Sequence, residues 1–197
     1  VATQVEICNA ALTHLGAKTL VTSLAENSKE AQRLAAVWNS ARDKLLTAHR
    51  WGFARRQIAL ALAAGASVAG WEYVYALPSD CLDARELYHA SLAPAPHAFA
   101  LSANADDSGL WLLTDTPEAE LVYTARIETV TRYPAPFAEA LAWELADRVA
   151  MPLTADLQLK QLAAAQARIA LDWAKAADAN QQVHDPARSP DWLTARA

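Results

Sequence analysis

Residues 27–60 read NSKEAQRLAAVWNSARDKLLTAHRWGFARRQIAL, and the way this stretch divides decides the fold. Its first two-thirds carry a helix signal. Asn27 offers a side-chain acceptor and Glu30 stands three residues on, the spacing of a capping box. Apolar residues follow at Ala31, Leu34, Trp38, Ala41, Leu45 and Ala48, a spacing that places them on one helical face. Lys29, Gln32, Arg33, Asn39, Arg42 and Asp43 fall mostly on the other. No Gly or Pro interrupts the run before Gly52. The helix therefore spans about five or six turns, with one side that needs a partner. It then breaks into an aromatic and basic knot, His49-Arg50-Trp51-Gly52-Phe53-Ala54-Arg55-Arg56.

Upstream, Thr3 and Glu6 form a second capping box, and Val5, Cys8, Leu12 and Leu15 share a face. Gly16 sits where a left-handed C-terminal cap is needed. Residues 3–15 thus read as a first helix, paired with the long one in an antiparallel hairpin. Downstream, residues 59–70 form an Ala/Gly/Ser loop, and Trp71–Leu77 reads as a strand closed by Pro78-Ser79-Asp80. Further strands are expected at 82–88, 97–101, 110–114 and 119–126, separated by Pro94, Pro96, the 104–109 cluster and Pro117. Helical period returns with Phe137, Leu141, Leu145 and Val149, where Glu144 and Arg148 form an i,i+4 pair, and Pro152 ends that helix. Thr154 caps a last helix whose Leu159, Leu162, Gln166, Ile169 and Trp173 recur at coiled-coil spacing. From Asn180 the chain is polar and broken by proline. The expected fold is mainly α within the α+β class. Four helices from residues 1–58 and 133–179 form a bundle, residues 59–132 a small antiparallel β insertion, and residues 180–197 an extended tail.

Composition narrows the function. No window reaches the ~18 apolar residues that a membrane span needs, and no secretory signal is visible. Cys8 and Cys81 match no metal or redox spacing and read as buried reduced thiols. A net charge of −5 argues against a protein that wraps nucleic acid, though not against one that DNA slides past. His14, His49, His89, His97 and His184 show no metal-binding spacing, and no Gly-rich phosphate loop exists, so no metal and no cofactor is expected. Ser67 lies in an Ala-rich loop rather than a strand-to-helix elbow. Residues 104–109 have calcium-loop residue types without the spacing and read as a hairpin turn. The knot has two readings. Arg50, Arg55 and Arg56 beside Trp51 and Phe53 are the types that hold phosphate and stack on bases. Alternatively, the aromatics plug the end of the bundle while the arginines cap helix carbonyls. The acidic chain favours the second.

Tryptophans give the interaction signal. Trp38, Trp143 and Trp173 lie within helices and are expected to be buried; Trp143 falls off the Phe137 stripe, which makes it a candidate inter-subunit contact. Trp192, in the polar tail, either anchors in a partner's groove or folds back on its own bundle.

Residues 5–17 (VEICNAALTHLGA), the helix leading into AHRWGFARR, and GWEYVYALPSDCL together resemble the head-to-tail adaptor of short-tailed bacteriophages, the tail tubular protein A-like family. The likeness covers most of residues 4–88 and, more loosely, 136–178, and rests on Trp51–Arg56 followed by Leu77–Cys81 in combination. The resemblance implies a structural virion protein rather than an enzyme. Such adaptors form a dodecameric ring beneath the portal, extend the DNA channel and dock the tail nozzle or tail tube. They assemble in the host cytoplasm and reside at the head–tail junction, with no membrane involved. On this reading Pro190, Trp192 and Leu193 anchor to the portal, and Trp51, Phe53 and Arg55 hold bundle to sheet. DNA passes through the lumen without sequence-specific binding. Removing residues 181–197 is expected to leave a folded protein that no longer joins the portal; normal joining would take the tail out of the account. Two other classes stand beside this one. A helical nucleic-acid-binding regulator would use Arg50, Arg55 and Arg56, and salt-sensitive DNA retention would reveal it. A hydrolase would use Ser67, His89 and Asp80, and serine-reactive probes would label it.

Overall fold

A computed structural model describes residues 2–90, 95–104 and 109–181. Helix α1 (Gln4–His14) begins with the complete Thr3–Glu6 capping box. It ends in a Schellman turn: Gly16 N–H donates to Thr13 O and Ala17 N–H to Leu12 O, with Gly16 at φ +67°. Helix α2 (Lys29–Thr47) is capped by Ser28, whose Oγ accepts from Ala31 N–H, while Asn27 accepts from the Gln32 amide instead. Its buried face carries Ala31, Leu34, Trp38, Ala41, Leu45 and Leu46.

The loop before α2 is organised by Glu26. Its carboxylate accepts from Thr22 N–H and Oγ1 and from Ser28 Oγ. These bonds, led by that from Ser28, lower its pKa from the ordinary 4.5 to about 2. The folded form thus holds the ionised group. Its contribution is complete above pH 4.5 and is lost as pH falls toward about 2. The Thr22 and Ser23 amide resonances are expected to titrate well below the usual carboxylate range. A midpoint at the ordinary value would contradict the assignment.

Six strands follow. β1 (Arg55–Ala59), β2 (Tyr73–Ala76), β3 (Cys81–His89), β4 (Ala100–Ala103), β5 (Leu110–Thr114) and β6 (Ala119–Ala125) form two three-stranded antiparallel sheets, ordered β1-β6-β3 and β2-β5-β4. This corrects the expectation of a helix bundle with one small β insertion: the fold is α+β with two sheets. Middle strand β6 pairs Thr124 with both Arg55 and Asp83, and it is buried along nearly its whole length. Its Leu121, Tyr123 and Ala125 belong to the same hydrophobic cluster as the helices. Sheet and helices therefore share a core.

The helices also pack differently from a simple bundle. Helix α3 (Ala135–Thr154) is the hub, and α1, α2 and α4 (Leu157–Gln181) each pack against it. Ten of its residues are buried, among them Phe137, Ala138, Leu141, Ala142 and Leu145, so its second apolar side is met within the chain. Pro152 lies inside the last turn, and the helix stops two residues later with Ala155 left-handed at φ 52°. Asp156, not Thr154, caps α4, accepting from Gln158 and Leu159 N–H.

Candidate interaction surface

The knot after α2 joins three helices to a sheet. Trp51 is 1% exposed. Its indole N–H donates to Leu45 O at 2.7 Å, the shorter of two bonds to that last-turn carbonyl, which Ala48 N–H also reaches at 3.2 Å. Its ring meets Phe137 of α3 edge-on at 5.1 Å, and Phe53 packs on both Phe137 and Tyr133. Arg85 of β3 donates to Trp51 O and to Thr124 Oγ1 on β6. From α4, the buried Asp178 carboxylate accepts from Gly52 N–H, and His49 Nε2 lies 3.1 Å from it. Sequence reading singled out neither Arg85 nor Asp178.

The three arginines of the knot reach side chains of the strands and of the turn before β3. Arg50 pairs with Glu86 at 3.3 Å and Arg56 with Asp80 at 2.5 Å, while Arg55 opens β1 and reaches Gln57. Two of the three charges are thus matched by carboxylates of the same chain. That weakens any phosphate-binding patch built from them. Nor do Ser67, His89 and Asp80 come together. Ser67 is exposed in the loop between β1 and β2. Asp80 and His89 flank opposite ends of β3, roughly 30 Å apart at ~3.3 Å per residue. Asp80 instead accepts from Arg56 and the Tyr123 hydroxyl. Among the described residues no cluster of three or more His, Cys, Asp or Glu is placed to hold a metal, and no helix is long and apolar enough to cross a membrane.

Trp38 is buried, and Trp143 is half-buried with its ring stacked on His14 at 3.8 Å and 5°. His14 Nε2 lies 3.2 Å from the Glu139 carboxylate, outside hydrogen-bond geometry. Trp173 is 59% exposed, contrary to expectation. The reason lies in how α4 turns. Its buried residues are Ala163, Ala167, Ala170, Ala174 and Asp178, a row of small side chains that lets the helix lie close against α3. The large members of the heptad, Leu162 (52% exposed), Ile169 (61%) and Trp173, point outward. They fall on one line about 16 Å long at ~1.5 Å rise per residue, continued by the exposed Ala165 and Ala176. Pro190, Trp192 and Leu193 lie outside the described residues.

A second apolar feature is a groove of about 320 Å³ between α1 and α3. Ala2, Ala10, Ala135, Ala138 and Ala142 line it, with Glu6 and Glu139 as its acidic members. No protein-family model matches this chain, and no curated protein matches it.

Proposed function

We propose that the chain is a structural virion protein, a head-to-tail adaptor. It assembles with copies of itself into a ring beneath the portal, a dodecamer on the family resemblance. The ring extends the DNA channel and docks the tail. The observation that carries this reading is the row of Leu162, Ile169 and Trp173, each more than half exposed on the longest helix described. Single exposed apolar residues need no explanation, but a continuous row with a tryptophan is the composition of an interface core. The charge of −5 suits a lumen that DNA crosses without sticking. The internal pairing of Arg50 and Arg56 disfavours the nucleic-acid-binding alternative. The purified chain, mixed with its candidate portal protein, is expected to co-sediment in many copies per portal. Co-sedimentation with random duplex DNA instead, reversed by salt, would favour the regulator.

A further inference from the structure

The row that seats α4 against α3 runs through Ala163, Ala167, Ala170 and Ala174, and the next position on that face is Asp178. A fifth small apolar residue would continue the packing. The chain places a carboxylate there instead, and it is 8% exposed. Two effects oppose it. Burying a charge is costly unless it is paired and hydrogen-bonded. A negative charge in the last turn of a helix also meets the negative end of the macrodipole, and that turn of α4 carries no basic residue. What offsets these costs comes from the knot. Gly52 N–H points between the two carboxylate oxygens, at 3.1 and 3.3 Å, and His49 Nε2 lies 3.1 Å from Oδ2. Arg85, which donates to Trp51 O, brings a positive charge near enough to couple to Asp178. The rest of the seam is thin. Ala174 and Ala177 face Trp51 and Phe137 across a slit of about 10 Å³, and the flanking Pro134 and Pro136 have no N–H to donate.

We infer that Asp178 is a latch: the last two turns of α4, residues 174–181, close on the knot or swing free as a unit, according to whether Gly52 and His49 hold this carboxylate. In the closed state the buried charge has its partners. In the open state water replaces them, and the small side chains of Ala174 and Ala177 give up little apolar contact. An alanine at this point of the row would favour closure under all conditions, whereas the aspartate makes closure conditional. Such a segment opens at a lower free energy than the whole fold. The chain runs on beyond it, so a partner that grips residues after 181 acts on the latch first. Release then reaches, through His49 and Gly52, the turn that joins α2 to β1. The latch does not depend on the adaptor reading.

Hydrogen exchange of the full chain, followed residue by residue by NMR, tests this. The amides of residues 175–181 and that of Gly52 are expected to exchange together, faster than those of residues 160–170. His49→Ala withdraws one partner of the carboxylate. It is expected to speed that set by roughly tenfold or more, the effect of losing a hydrogen bond to a charged group, and to leave residues 160–170 as they were. Asp178→Ala removes the charge itself. In that background His49→Ala is expected to change the α4 rates by less than about twofold, since the coupled pair is already gone. Simple fraying of the helix end would leave Gly52 at a rate of its own and overturn the inference. Acceleration spread evenly along α4 would show that the helix opens in one piece, with the same consequence. So would unchanged rates in His49→Ala, or an equal acceleration with and without Asp178→Ala.

Discussion

Replacing Trp51 with alanine is expected to lower the stability by about 3–5 kcal/mol, the range for removing a fully buried large aromatic. For a chain of this size the melting temperature then falls by roughly 10 °C. The loss has three parts. The indole leaves a cavity against Phe137 and Phe53, the Leu45 carbonyl loses its shorter bond and keeps only that from Ala48 N–H, and the turn that places Gly52 N–H on Asp178 loosens. Trp51→Phe separates the first from the second. It keeps an aromatic ring in the site and removes the N–H, so it is expected to cost only about 1–2 kcal/mol. Circular dichroism melting curves measure both. A Trp51→Ala protein melting within ~2 °C of the parent would show that the knot does not join helices to sheet.

The second large effect is on assembly and leaves folding alone. Ile169→Asp with Trp173→Asp puts two charges on the exposed ridge of α4. Surface changes away from packed or paired groups usually stay within about 0.5 kcal/mol, so the melting temperature should hold. Truncating a tryptophan at the centre of an interface commonly costs about 2 kcal/mol or more, which is roughly a thirtyfold loss per contact. Each subunit in a ring makes that contact twice, so rings should disappear at concentrations where the parent forms them. The inward face behaves in the opposite way. Ala163→Leu forces bulk between α4 and α3, where Ala163 is 1% exposed, and is expected to destabilise by about 1–3 kcal/mol. Sedimentation and thermal melting of the two proteins check both halves. Unfolding by the aspartates, or indifference to Ala163→Leu, would mean that α4 is turned the other way.

Much of the fold was legible because its signals are local. The Thr3–Glu6 box, the Gly16 stop and the stripe from Ala31 to Leu45 each lie within a few turns of chain, and the helices formed where these features placed them. What failed involved choices that local pattern does not decide. On α4, one apolar row is alanine and the other is Leu, Ile and Trp, so periodicity yields two faces without saying which is inside. The size of the larger residues argued for burial, but close approach to α3 selects the alanines. Strand β1 was invisible for a related reason. Arg55–Ala59 is exposed throughout, and its pairing to β6 comes from backbone bonds to residues some sixty positions away. The division into two sheets has the same origin, since alternation marks a strand's faces but not its neighbours. Arg85 and Asp178 act on the knot from distant segments, and nothing near either in sequence marks that role. The resemblance pointed to Trp51 and Phe53 as the join between bundle and sheet. Both pack against Phe137, while Arg55 reaches only along its own strand to Gln57.

The most direct measurement is a reconstruction by electron cryomicroscopy of the assembly formed with the portal. The account predicts a closed ring of identical copies, with Leu162, Ile169 and Trp173 of each covered by a neighbouring copy. A single copy per portal, or a ring in which the outer face of α4 meets only solvent, would contradict it.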